Sequence, residues 1–152
     1  MELTYYVLRA DASYQPIYTY PAGSIDPDEI YARQLCDYLV IQDRQYQLVS
    51  NEMEKQEEVL VVEDLGPAVR TDAEPFYKDG VHIEFREYQA PSQTPLLYAL
   101  VCNPYKRPHW EAVRYLLKDY VDIPAVGLRK RDSAEIDEDR RCYVIYVEPA
   151  SC

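Results

Sequence analysis

Only two stretches of this chain repeat apolar residues at a helical period, and almost everything around them reads as short strands. In residues 27–40, Tyr31, Leu35, Tyr38 and Leu39 recur at i, i+4, i+7 and i+8, which places them on one stripe. Asp26 as N-cap, Pro27 at the first helical position and the acidic Asp28 and Glu29 mark where that helix starts. Pro108 opens the second, whose stripe is Trp110, Val113, Leu117, Tyr120 and Val121, with Trp110 read as a core anchor.

The remaining segments favour β-structure. Residues 3–9 and 16–20 are rich in β-branched and aromatic side chains and flank the turn-like Asp11, Ala12 and Ser13, so they predict a hairpin. Residues 46–53 and 59–65 predict a second, joined through the acidic Glu54, Glu57 and Glu58 and closed by Gly66 and Pro67. After an irregular stretch, Asp79 and Gly80 signal a tight turn before an alternating strand at 81–88. Residues 96–102 are almost continuously apolar, as in a central strand covered on both faces. Residues 122–141 read as a long polar loop of mixed charge, and residues 142–147 as a last central strand.

This order predicts a single α+β domain over residues 1–152: a mainly antiparallel sheet of about six or seven strands, with two amphipathic helices on one face. No internal repeat and no interdomain linker stand out. A length of 152 residues suits one hydrophobic core, and 47% hydrophobic with 28% charged residues argues against disorder.

The formal charge of −11 opposes direct binding to a phosphate backbone. It suits a solvated surface, a basic protein partner or a mimic of nucleic acid. Cys36, Cys102, Cys142 and Cys152 form no CxxC pair and have no histidine nearby for a zinc site, so no metal and no cofactor are expected. They read as reduced thiols, Cys152 exposed at the terminus, although Cys102 and Cys142 both fall in predicted strands. No signal peptide or membrane span is visible, which predicts a cytoplasmic protein.

Sixteen tyrosines against two phenylalanines and one tryptophan mean that nearly every ring carries a hydroxyl, a bias that favours recognition surfaces. Tyr31, Tyr38, Tyr98, Tyr120, Tyr143 and Tyr146 fall on predicted core positions, which leaves Tyr14, Tyr77, Tyr88 and Tyr105 in or beside loops.

Two groups of residues carry chemistry. Tyr105, Lys106, Arg107 and His109 cluster where the second helix begins, although cations there oppose the helix dipole by about 0.3–1 kcal/mol each. An anion would answer them, either an external phosphate, carboxylate or acidic peptide, or the chain's own carboxylates Glu52, Glu54, Glu57, Glu58, Glu63 and Asp64. In the strand at 81–88, His82, Glu84, Arg86 and Tyr88 share one face, where a histidine beside a carboxylate suits general acid–base chemistry. The competing reading is an ordinary solvent face with cross-strand charge pairs. Only four glycines are present, at 23, 66, 80 and 127, and they build no phosphate-cradling loop.

No catalytic motif emerges, so the expected function is a small binding or interaction protein with an acidic, tyrosine-rich surface that meets a protein partner or itself. The alternative is a small-anion sensor or enzyme built on Lys106, Arg107 and His109, with His82 and Glu84 as acid and base.

Overall fold

In the computed structural model, which describes residues 1–70 and 74–150, ten strands join one mixed sheet and two helices pack on it. The chain runs β1 (Leu3–Leu8), β2 (Tyr14–Tyr20), α1 (Pro27–Gln34), β3 (Tyr38–Ile41), β4 (Arg44–Glu54), β5 (Glu57–Pro67), β6 (His82–Glu87), β7 (Leu96–Val101), α2 (Pro108–Leu116), β8 (Tyr120–Ile123), β9 (Gly127–Asp137) and β10 (Cys142–Val147). The sheet order is β2-β1-β5-β4-β3-β9-β10-β6-β7, with β8 paired to β9 off this path.

The same pattern of pairings occurs twice. In the first half, β1 pairs antiparallel with β2 and parallel with β5, while β4 pairs antiparallel with β3 and β5. In the second half, β6 pairs antiparallel with β7 and parallel with β10, while β9 pairs antiparallel with β8 and β10. A parallel β3–β9 pair joins the halves. The expectation of no internal repeat is corrected: the duplication lies in topology, and little of it survives in residue identity. Both helices have a proline at their first position, and an Asp–Tyr pair, Asp37–Tyr38 or Asp119–Tyr120, leads into the strand after each.

The predicted fold class is also corrected, because the sheet has ten strands and is mixed. Three of its pairings are parallel, and parallel partners are set by helix-bearing crossovers that no local pattern reveals. Two of the further strands lie where the apolar periodicity predicts helix ends. The helix expected over 27–40 stops with Leu35 as C-cap, and Tyr38 and Leu39 lie in β3. Asp37 makes that switch: its N–H donates to the Ala134 carbonyl, and its carboxylate accepts from the Ala134 N–H, both at 2.8 Å. Tyr120 and Val121 likewise belong to β8.

The charged stretch read as a loop is largely β9, whose Ser133, Ala134, Glu135, Ile136 and Asp137 are all buried. Residues 96–101 form an outermost strand, β7, with Val101 61% exposed. The hairpin between β4 and β5 turns through Lys55 and Gln56, both at positive φ, as a two-residue turn requires.

The core lies between the helices and one face of the sheet. Ile83 and Phe85 of β6, Tyr143 and Ile145 of β10, and Ala134 and Ile136 of β9 form an apolar patch there. Ile30, Ala112, Val113 and Leu116 of the helices close over the core. Trp110 is 42% exposed, with the Arg107 guanidinium over its ring, so it is no core anchor. Cys36, Cys102 and Cys142 are buried free thiols; Cys142 pairs in register with His82, whereas Cys102 lies beside Val81, so Cys102 and Cys142 point to opposite faces. Cys152 lies outside the described residues. Among the described residues, no helix is long and apolar enough to cross a membrane.

Candidate functional site

The alternation that sends one face of β9, β10 and β6 to the helices sends a charged set to the other. In register across the three strands run Ser133–Tyr146–Arg86, Glu135–Val144–Glu84 and Asp137–Cys142–His82. Pro75 and Tyr77, which precede β6, lie over this second face, where the Pro75 carbonyl accepts from Arg140 and the Tyr77 N–H donates to the Arg140 carbonyl. The turn after β6 crosses it too, with Arg86 donating to the Thr94 carbonyl.

Buried ion pairs fill the layer beneath. Arg140, 2% exposed, donates from both terminal nitrogens to Glu84 at 2.9 Å and from Nε to Asp137 at 3.0 Å. Arg86 and the Tyr77 hydroxyl also donate to Glu84, at 2.8 and 2.7 Å. Burial opposes ionisation of Glu84, but donation from Arg140, Arg86 and Tyr77 prevails and holds its pKa at about 2. Arg70 joins Asp137 at 2.6 Å to Asp139 at 3.0 Å.

Glu135 is the exception in this layer. It is 4% exposed, and its hydrogen bonds come from neutral groups, the Gln45 amide at 3.2 Å and the Tyr146 hydroxyl at 3.1 Å. Burial, and then the Asp137 charge, push its pKa up to about 7. It lines a cleft of about 350 Å³ walled by Tyr38, Tyr88 and Tyr146, with Asp132 and Ser92 exposed at the margin. Tyr88 and Tyr146 meet edge to face at 6.4 Å.

The raised pKa makes a stability prediction. The native state holds the Glu135 proton more tightly than the unfolded chain does, so this group favours folding below the ordinary carboxylate pKa. That contribution is lost as pH rises from about 4.5 to about 7. Glu135→Gln, which keeps the shape and removes the titration, is therefore expected to gain stability over the native protein as pH rises through this window, by on the order of 3 kcal/mol at pH 8. Urea midpoints for both proteins at pH 5 and pH 8 check this, and a difference that does not change with pH would refute it.

The basic cluster at 105–109 meets the chain's own carboxylates at two of its positions, but these belong to α1 and not to the stretch from Glu52 to Asp64 that the sequence suggests. Arg107 binds Asp28 bidentately at 2.9 and 3.0 Å, and His109 Nε2 lies 3.2 Å from Glu29, so the acidic start of α1 faces the basic start of α2. His109 Nδ1 lies 2.9 Å from the buried Tyr143 hydroxyl. Burial lowers the His109 pKa against the pull of Glu29; the neutral ring can then accept from the Tyr143 hydroxyl at Nδ1. Lys106 and Tyr105 stand in solvent, Tyr105 at 93% exposure.

His82 and His109 line a second cleft, of about 420 Å³, together with Tyr20, Glu29, Arg33 and Glu138. The predicted acid–base pair is nonetheless divided. His82 Nε2 lies 2.7 Å from the Asp79 carbonyl and the ring stacks on Tyr77 at 4.1 Å, whereas Glu84 is committed to Arg140, Arg86 and Tyr77. Arg86 is buried in the ion-pair layer. Among the described residues, no cluster of His, Cys, Asp and Glu is suited to hold a metal ion.

Comparison of the chain with protein-family models, with curated proteins and with solved structures finds no match. Sequence reasoning missed Glu135, although a signal was present: in Ser133, Ala134, Glu135, Ile136 and Asp137, apolar and polar residues alternate with the period of a strand. Tyr38 and Tyr146, assigned to the core from sequence, are partly exposed in the cleft. Tyr31 and Tyr120, given the same assignment, are 44% and 56% exposed.

Proposed function

We propose that this protein is a binding module that presents the second face of its sheet, the face opposite the helices, to a protein partner. What supports this reading most is the cleft over Glu135: three tyrosines wall it, and polar groups from β4, β9 and the turn after β6 converge on it. Tyrosine and hydroxyl groups around an open cleft suit recognition, because a flat amphipathic ring contributes contact area at low entropic cost. The surrounding surface belongs to a chain of net charge −11, which favours a basic partner. A catalytic role has less behind it, since His82 and Glu84 bond to different groups, and an anion sensor would share Arg107 and His109 with Asp28 and Glu29. The buried free thiols Cys36, Cys102 and Cys142 fit a reducing, cytoplasmic setting.

A photo-crosslinking amino acid placed at Tyr88, on the cleft, and at Tyr14, on the distant β2 edge, tests the surface. Irradiation in cells is expected to give discrete adducts from position 88 and none, or far weaker ones, from position 14. Equal labelling from both positions would refute the assignment.

A further inference from the structure

We propose that the cleft over Glu135 takes a cationic side chain, the ammonium or guanidinium end of a lysine or arginine on the protein partner; this rests on the second sheet face being the binding surface. Three observations converge. First, the local charges do not balance: the guanidiniums of Arg70, Arg86 and Arg140 face the carboxylates of Glu74, Glu84, Asp137, Asp139 and Glu135. The other four each take part in at least one ion pair with these arginines. Among the described residues, Glu135 alone of the five takes part in no ion pair, though it is buried and lines the cleft.

Second, removing a carboxylate from water without a cation is costly, and a ligand cation relieves that cost where a neutral ligand does not. Third, the walls are Tyr38, Tyr88 and Tyr146, rings whose faces attract cations and whose bodies pack against an aliphatic stem. A bare metal ion would need several oxygen ligands around one point. Here Asp137 is committed to Arg70 and Arg140, and both Glu135 oxygens are hydrogen-bonded, which suits one further donor on a narrow stem.

Protonation competes with such a ligand. The groups facing Glu135 are Asp137 on its own strand, Tyr146 on β10, Tyr38 and Gln45 on β3 and β4, and the Arg140 charge. Asp137 raises the carboxyl pKa and Arg140 opposes it. Cation binding is therefore expected to weaken as pH falls from 8 to 6.

The test uses the full chain labelled with ¹⁵N and three blocked tripeptides, Gly-Lys-Gly, Gly-Arg-Gly and Gly-norleucine-Gly, with n-butylammonium as a fourth probe. Amide shifts at Tyr88, Ser133, Glu135 and Tyr146 are expected with the lysine or arginine peptide and not with norleucine. Glu135→Gln, expected to fold at least as well as the native chain at pH 8, should weaken that binding at least tenfold. Equal binding by the Gln variant, or shifts confined to other surfaces, would overturn the proposal. Tighter binding of n-butylammonium than of either cationic peptide would overturn the protein partner in favour of a free amine. If every cation fails while position 88 still crosslinks in cells, the cation anchor is wrong and the binding surface stands; loss of position-specific crosslinking refutes the surface itself.

Discussion

Arg140→Met is expected to lower the unfolding free energy by roughly 3–5 kcal/mol, because it leaves Glu84 and Asp137 buried without their shared cation. Methionine has about the right length for the space, so the loss reads out charge more than volume. The pH dependence separates this from a packing defect. Glu84 sits at about 2 in the native protein, below its ordinary value near 4.5, so its ionised form stabilises the fold above that range. This contribution fades as pH falls from about 4.5 towards 2. Arg140→Met discards the share of it that Arg140 supplies, while Arg86 and Tyr77 remain on Glu84. Its deficit in urea midpoint should be largest near neutral pH and shrink as the solution is acidified, and adding Glu84→Gln should restore part of it at pH 7. A deficit that persists unchanged at pH 3, or a double variant no better than the single one, would contradict this account.

Phe85→Ala is expected to cost a similar amount, about 3–5 kcal/mol, for a different reason. Phe85 is fully buried, packs edge to face on Tyr115 of α2 at 5.6 Å, and lies between Tyr98 and Ile145 in the register of β7, β6 and β10. Removing the ring leaves a cavity beneath α2 that close-packed neighbours cannot fill. The loss should be nearly the same at pH 3 and pH 7, in contrast to Arg140→Met. Denaturant unfolding at the two pH values distinguishes the two mechanisms, and a Phe85→Ala cost below about 1 kcal/mol would place the ring outside the core.

These residues differ in how far the sequence reveals their roles. Ile83 and Phe85 are assigned to one face by alternation within β6 alone, and the structure buries both. The same pattern puts His82, Glu84 and Arg86 on the other face, but it says nothing of what covers them. Solvent would have suited them equally well. It is Pro75 and Tyr77, the turn after β6 and Arg140 of the β9–β10 connection that turn this face into a buried ion-pair layer. Arg107 and His109 are similar: the sequence marks cations at an unfavourable helix end and calls for an anion, and the packing of α1 on α2 supplies Asp28 and Glu29. Glu135 shows the opposite failure, since its charge and that of its neighbours outweighed a strand-like alternation.

By itself, the amino-acid sequence determined where two helices begin, the two early hairpins, the apolar face of β6 and the central β10. These follow from capping, turn chemistry and side-chain periodicity, which act over a few residues. Tertiary structure decided where the helices stop, the parallel pairings of β1 with β5 and β6 with β10, the junction of β3 with β9, and the cleft over Glu135. Each of these depends on hydrogen bonds and charges between groups tens of residues apart, whose partners come together only when the chain folds.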